Sequence, residues 1–121
     1  MDSILISTKR ILGIEENDTA FDLDIITHIN AAFSTLNQLG VGPEDGFFIE
    51  DNVPTWDLFV VPANQLHTVK SYVCLYVRAK FDPPATSYHT TAMNEQIKEL
   101  EWRLNFFREV ALPDPEEEVV P

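Results

Sequence analysis

The chain has one cysteine and four glycines among its 121 residues, and both shortages exclude kinds of chemistry. Cys74 has no partner within the chain, which excludes an intramolecular disulfide and a cluster of thiolate metal ligands and suits a reducing cytoplasm. The glycines form no phosphate-cradling loop, no dinucleotide fingerprint and no Gly-x-Ser-x-Gly elbow. The usual scaffolds of nucleotide and acyl-transfer chemistry are therefore missing.

Long apolar runs are also missing from the sequence. Nowhere do about eighteen apolar residues follow one another, as a membrane-spanning helix requires. The short apolar stretch that ends at Ile6 has no basic region before it, so we expect no signal peptide. The sequence thus predicts no membrane partner.

Basic residues are scarce in this chain. Eight Lys and Arg stand against 20 Asp and Glu, which gives a net charge of −12 and a pI near 4.4. Affinity for nucleic acid depends on Lys and Arg that displace counterions from phosphates, so a helix-turn-helix reader of DNA is disfavoured. The hydrophobic fraction of 45% is nevertheless sufficient for a packed core in a single domain of this length.

Helical spacing of apolar residues predicts an all-α fold: a small bundle of about four helices with a long loop and an extended C-terminal tail. Capping and breaking residues set the ends, including the break at Asp82-Pro83-Pro84 after the third helix. The first helix is predicted between Ser3 and Gly13, and the second between its cap Asp22 and Gly40. The third begins at Pro62 or Asn64 and ends at Phe81. The fourth begins at Ser87 or Thr90 and ends at Arg108. We expect a helical domain over residues 1–110 and an acidic tail over residues 111–121.

Each longer helix has a predicted buried face. These faces are Ile25, Ile26, Ile29, Ala32, Phe33, Leu36 and Leu39 in the second helix; Leu66, Val69, Val73, Tyr76 or Val77, and Phe81 in the third; and Met93, Ile97, Leu100, Leu104 and Phe107 in the fourth. On the outer side of the fourth helix, Glu99 precedes Arg103 by four residues, a spacing that favours an ion pair.

The segment from Val41 to Pro54 is rich in glycine, proline and acidic residues, which predicts a long loop. Within it Phe47, Phe48 and Ile49 form an apolar island that could be a short strand or one arm of a β-hairpin. Two interpretations of the island stay open: it folds back on the chain's own core, or it offers an apolar contact to a partner. After this loop, Thr55 is placed to cap a single helical turn.

Catalytic and metal-binding residues are not predicted. His28, His67 and His89 are not spaced to share a helical face or to lie beside a cysteine, so we expect no metal site and no catalytic base. No cofactor is expected either. An alternative is a small helical enzyme in which loop carboxylates gather around a divalent cation; these are Asp45, Glu50, Asp51 and Asp57.

Three stretches of the sequence are distinctive: Leu36-Asn37-Gln38-Leu39-Gly40-Val41-Gly42-Pro43, Tyr72 to Arg78 followed by Phe81-Asp82-Pro83-Pro84, and Gln96-Ile97-Lys98-Glu99-Leu100-Glu101-Trp102-Arg103-Leu104-Asn105. They resemble the small head-tail connector (adaptor) proteins of tailed bacteriophages. The order of helices, loop, Pro-Pro break and tail is also similar to that family, and the likeness touches most of residues 3–108.

The resemblance implies a structural virion protein with no enzymatic activity. Such adaptors form a ring, typically a dodecamer, below the portal vertex in the neck of the virion, after synthesis in the host bacterial cytoplasm. The implied partners are the portal protein, a head-closure or tail-completion protein, and other copies of the chain. DNA would pass through the lumen without specific binding, which suits an acidic protein because like charges repel.

Partner contacts are predicted at two places. One is the apolar island Phe47, Phe48 and Ile49. The other is the C-terminal segment from Phe106 to Pro121, which would reach the portal as an extended tail that becomes ordered on contact; its candidate residues are Phe106, Phe107, Val110, Leu112, Val119 and Val120. The alternative function is an acidic helical interaction or inhibitor module that binds a basic partner.

Overall fold

A computed structural model of the chain describes residues 2–111, with side chains up to Phe106. Its elements are α1, Ile4–Leu12; α2, Asp22–Gln38; one 3₁₀ turn, Trp56–Leu58; α3, Ala63–Phe81; and α4, Ser87–Ala111. Within the described residues there is no sheet, and the one β-bridge joins Ser3 to Thr55. The predicted all-α fold of about four helices is confirmed. The division at residue 110 stays a prediction, because residues 112–121 lie outside the described part.

Helix α1 begins and ends where its capping residues predict. The Ser3 hydroxyl accepts a hydrogen bond from the amide of Ile6 at 3.3 Å, and Gly13 has the left-handed φ of 78° that terminates many helices. The amide of Ile4 donates to the carbonyl of Pro54 at 3.0 Å. The N-terminal end of α1 is therefore attached to the end of the long loop.

Helix α2 has the predicted apolar face but not the predicted cap. Ile25, Ile29 and Leu36 are completely buried. Asp22 is the first residue of the helix and not its N-cap; the cap position belongs to Phe21, which makes no side-chain capping bond. The prediction that Asp22 caps α2 is wrong because its carboxylate is used elsewhere, in an ion pair with Lys9 at 2.8 Å.

Helix α3 lies at the centre of the bundle. It packs along both α2 and α4, whereas α2 and α4 make little contact with each other. Its residues Val69, Tyr72, Val73 and Val77 are completely buried. The predicted break is confirmed, since the helix ends at Phe81 before the two prolines. The central position of α3 gives the molecule two different sides, one formed by α2 with the loop and the other by α4.

Helix α4 is the longest helix, but it is the least buried in the described part. It extends to Ala111, beyond the predicted end at Arg108. Leu104 is completely buried, whereas Ile97 and Leu100 are half-buried against the core. The predicted pair on its outer side is present, with Arg103 Nη2 at 2.8 Å from Glu99 Oε1. Among the described residues, one long edge of α4 is therefore exposed.

No strand or hairpin is found at Phe47-Phe48-Ile49, so that part of the prediction is wrong. The backbone of Ile49 bonds to a side chain instead of a neighbouring strand. Its amide donates to Asn30 Oδ1 at 2.8 Å, and Asn30 Nδ2 donates to its carbonyl at 2.9 Å. This pair of bonds satisfies the same backbone groups that a strand partner would satisfy.

Among the described helices, none combines the length and apolar character that crossing a membrane requires.

Candidate interaction surfaces

The apolar island of the long loop is divided between the core and the surface. Ile49 is 1% exposed, and the Phe47 ring packs edge-on against Phe33 and Phe59, with centroids 5.0 and 5.5 Å apart. Phe48, in contrast, is 67% exposed. The first interpretation therefore holds for Phe47 and Ile49, which anchor the loop on the core, whereas the predicted partner contact at the outward Phe48 stays a prediction.

Phe48 belongs to a small exposed surface that we call the loop patch, formed by Phe48, Glu50, Asp51 and Val53. These residues border one shallow depression, and Val53 is 75% exposed. The side chain of Asp51 accepts a bond from the Val53 amide at 2.9 Å, which fixes the turn between them. The loop patch therefore combines two outward apolar side chains with two carboxylates on an ordered turn.

The loop does not assemble a cation site. Among the described residues no group of three or more carboxylate, histidine or cysteine side chains could hold a metal ion. Asp45, Glu50, Asp51 and Asp57 are thus not brought together, and the hypothesis of a metal-dependent enzyme loses its proposed site. A hydrogen bond from the Thr55 hydroxyl lowers the pKa of Asp57, so this exposed carboxylate stays charged near neutral pH.

A groove of about 400 Å³ lies between α1, α3 and α4. Its lining is mainly apolar, and its members include Ile11, Cys74, Leu75 and Leu100. Burial raises the pKa of the Cys74 thiol, which therefore stays neutral and behaves as a small apolar side chain at the floor. Ile11 is 53% exposed at the groove edge.

Charged side chains frame this groove. Arg78 and Arg103 both line it, together with Glu99. Arg103 is paired with Glu99, but Arg78 is exposed and has no ion pair within the described residues. The groove therefore offers an apolar floor with a positive rim.

Two aromatic rings stack on the outer face of α4. The rings of Trp102 and Phe106 are 5.6 Å apart and nearly parallel, with 15° between their planes, and Trp102 is 65% exposed. Phe106 was predicted as a partner contact, and Trp102 was not among the predicted residues. Trp102 does not share the helical face of the apolar residues Ile97, Leu100 and Leu104, which could have indicated that this tryptophan points outward.

The remaining predicted partner residues lie where the structure describes no side chains. The helical backbone of α4 includes Phe107 and Val110, and nothing is described of their side chains. Leu112, Val119 and Val120 lie wholly outside the described residues. These predictions therefore remain untested.

Charge is distributed unevenly along the chain, a signal that the sequence analysis missed. Residues 11–69 contain ten Asp and Glu and no Lys or Arg. The basic residues with described side chains lie at the end of α1 or on α3 and α4; they are Lys9, Arg10, Lys70, Arg78, Lys80, Lys98 and Arg103. The loop side is consequently strongly acidic, whereas the side formed by α3 and α4 carries most of the positive charge.

The histidines add no chemistry to these surfaces. His67 and His89 are exposed and His28 is half-buried, and none belongs to a metal-ligand group in the described part. His89 Nδ1 lies 2.7 Å from the Thr86 hydroxyl, at the beginning of α4. That contact is part of the start of the helix.

The described residues thus form an all-helical fold that combines outward apolar side chains with opposed charges, features that interaction surfaces often have. The sequence model of the phage connector protein family matches residues 4–111 of the chain. The chain belongs to this family, which supports a structural connector role in a phage. No curated protein and no solved structure is significantly similar to it.

Proposed function

We propose that the chain is the adaptor of a phage head-tail connector, forming a dodecameric ring below the portal vertex and joining the capsid to the tail. Membership of the phage connector family over residues 4–111 is the observation that carries this proposal. The position of α3 between two unlike sides supports it as well. A closed ring requires heterologous contacts, in which one face of a subunit meets a different face of its neighbour.

The proposed partners are the portal protein on one side and a head-closure or tail-completion protein on the other. For the portal we propose the segment from Phe106 to Pro121. The stacked pair of Trp102 and Phe106 supports this choice, because large aromatic side chains dominate binding energy at interfaces. The pair would mark the beginning of the contact surface on α4.

The acidic balance of the chain fits a protein that surrounds DNA in transit. With a net charge of −12, the ring would repel the duplex from its lumen, so that DNA passes without specific binding. We propose no catalytic activity and no cofactor, and the virion neck as the location.

Native mass spectrometry over a wide range of concentrations tests the ring. A discrete species near twelve subunits is the expected result. If the chain is monomeric at every concentration, the same measurement is repeated with the purified portal protein as a template. A monomer in both experiments would overturn the ring and favour the acidic interaction module.

A truncated variant tests the portal contact separately. The variant that ends at Leu112 should lose portal binding in a pull-down assay while its circular dichroism and melting temperature stay unchanged. Trp102→Ala in the full chain should weaken binding as well, because it removes one ring of the stacked pair. Unchanged portal binding by the truncated variant would overturn the assignment of the C-terminal segment.

A further inference from the structure

We propose that the groove between α1, α3 and α4 receives the loop patch of a neighbouring subunit. This inference rests on the proposed ring and identifies its two contact faces. One face is the loop patch, and the other is the apolar groove with its positive rim. A second copy of the chain is thus the occupant of the groove.

The two faces are separate, as a head-to-tail contact requires. No residue of the loop patch lines the groove. The loop reaches the N-terminal end of α1 through the bond between Ile4 and Pro54, whereas the groove includes Ile11 near the C-terminal end of the same helix. A subunit can therefore use its loop patch on one neighbour while its groove accepts the loop patch of another.

Charge complementarity favours this pairing. In the loop patch, Glu50 and Asp51 are exposed, and neither forms an ion pair within the described residues. At the groove rim, Arg78 likewise lacks an ion partner among the described residues, where Arg103 has only Glu99. A chain with a net charge of −12 repels its own copies unless opposite charges meet locally at the contact. At the groove rim the acidic loop would meet the unpaired charge of Arg78 beside an apolar floor.

The apolar groups are complementary too. Phe48 and Val53 project from the loop patch, and each is at least two-thirds exposed in the monomer. Buried Cys74 and half-buried Leu75 and Leu100 form the groove floor, and exposed Ile11 lies at its edge. An aromatic side chain buried in such a site is the typical central anchor of an interface, with charged groups around it. The arrangement of both faces follows this pattern.

Charge reversal of each face tests the pairing by native mass spectrometry. The loop variant is Glu50→Lys with Asp51→Lys, and the groove variant is Arg78→Glu with Arg103→Glu. Each should raise the concentration needed for half-assembly by at least about tenfold, because like charges then face each other. The chain that carries all four substitutions should assemble again within about threefold of the wild type, since the pair is restored with its signs exchanged.

A matched control separates the local pairing from the change in total charge. Glu15→Lys with Glu16→Lys makes the same charge change as the loop variant in the exposed connection between α1 and α2, and it should leave assembly unchanged. Circular dichroism and melting temperature establish that every variant is folded. Loss of assembly in the control to the same extent as in the loop variant would overturn the proposal.

The possible outcomes distinguish this inference from the proposed function. If the wild type forms no ring with or without portal protein, the ring itself fails. If the wild type forms a ring and the chain with all four substitutions does not assemble again, the pairing of these faces fails while the adaptor function stands.

The acidic C-terminal tail is the competing occupant of the groove, and the chain that ends at Ala111 tests it. Loss of the ring in that variant, with normal assembly of the loop variant, would assign the groove to the tail.

Discussion

Lys9 and Asp22 join the end of α1 to the beginning of α2: the Lys9 ammonium lies 2.8 Å from Asp22 Oδ1, and the Lys9 side chain is 2% exposed. The same ammonium donates to the carbonyl oxygens of Glu16 at 3.0 Å and Asp18 at 2.6 Å. Three oxygens therefore surround one buried cation. This arrangement closes the connection between the two helices over a lysine that would otherwise lie uncompensated in the interior.

Asp22→Asn should lower the free energy of unfolding by about 2–3 kcal/mol, because it removes the negative partner of a buried positive charge. The loss is moderated by water, since the Asp22 side chain is 26% exposed. Asp24→Asn is the matched control in the same first turn of α2. It is exposed and should cost less than about 1 kcal/mol, the value of a carboxylate at a helix N-terminus. Urea unfolding of both variants measures the difference, and equal losses would contradict it.

Gly42 lies at a position in the long loop where only glycine fits. Its φ is +89°, and an added Cβ would collide with the ring of Phe59, which anchors the loop on the core. Gly42→Ala should therefore destabilise the protein by about 2–4 kcal/mol, the sum of backbone strain and overpacking. Gly13→Ala is the control, since its φ of +78° is similar but its Cβ would meet nothing within 4 Å. It should cost only about 1 kcal/mol in thermal unfolding.

Asn30 holds the long loop by two hydrogen bonds to the backbone of Ile49. Asn30→Ala should lower stability by about 2 kcal/mol, because a buried amide and carbonyl lose their partner. It should also expose the loop to limited proteolysis, with new cleavage between residues 43 and 54. Gln38→Ala changes an exposed amide on the same helix and should leave the proteolysis pattern as it is in the wild type. Identical patterns for the two variants would argue against this role of Asn30.

Tyr72 makes the protein sensitive to alkaline pH. Its hydroxyl is buried and donates to Glu101 Oε1 at 2.8 Å; burial above all, and then this bond, raises the pKa of Tyr72 well beyond its ordinary value of 10.0. The unfolded chain releases this proton near pH 10 while the folded chain retains it. The contribution of Tyr72 to stability is therefore complete below pH 10 and declines as the pH rises above that value.

The urea midpoint should accordingly fall steeply as the pH rises above about 10, and less steeply in Tyr72→Phe, which has no proton to release. Tyr88→Phe is the control, because Tyr88 is 78% exposed and its removal should leave the steep decline intact. The raised pKa of Cys74 adds a decline of the same sign above pH 9. Parallel pH profiles for Tyr72→Phe and the wild type would contradict the assignment.

The sequence by itself determined the features that depend on neighbouring residues. Ser3 and Gly13 bound α1 because a side-chain cap and a left-handed glycine act within one helical turn. Pro83 and Pro84 end α3 because proline cannot continue the backbone hydrogen bonds. Helical spacing similarly indicated the buried faces and the pair of Glu99 and Arg103. These are local rules, and they were sufficient for the all-α fold class.

Only the tertiary structure decided what depends on residues distant in sequence. It buried Lys9 by bringing three oxygens to it, and it took Asp22 away from its predicted role as a cap. It also divided the loop island, because Asn30 and the aromatic core hold Ile49 and Phe47 while Phe48 has no such contact in the described part. The groove arises where residues of α1, α3 and α4 come together, and no period within one helix contains that information.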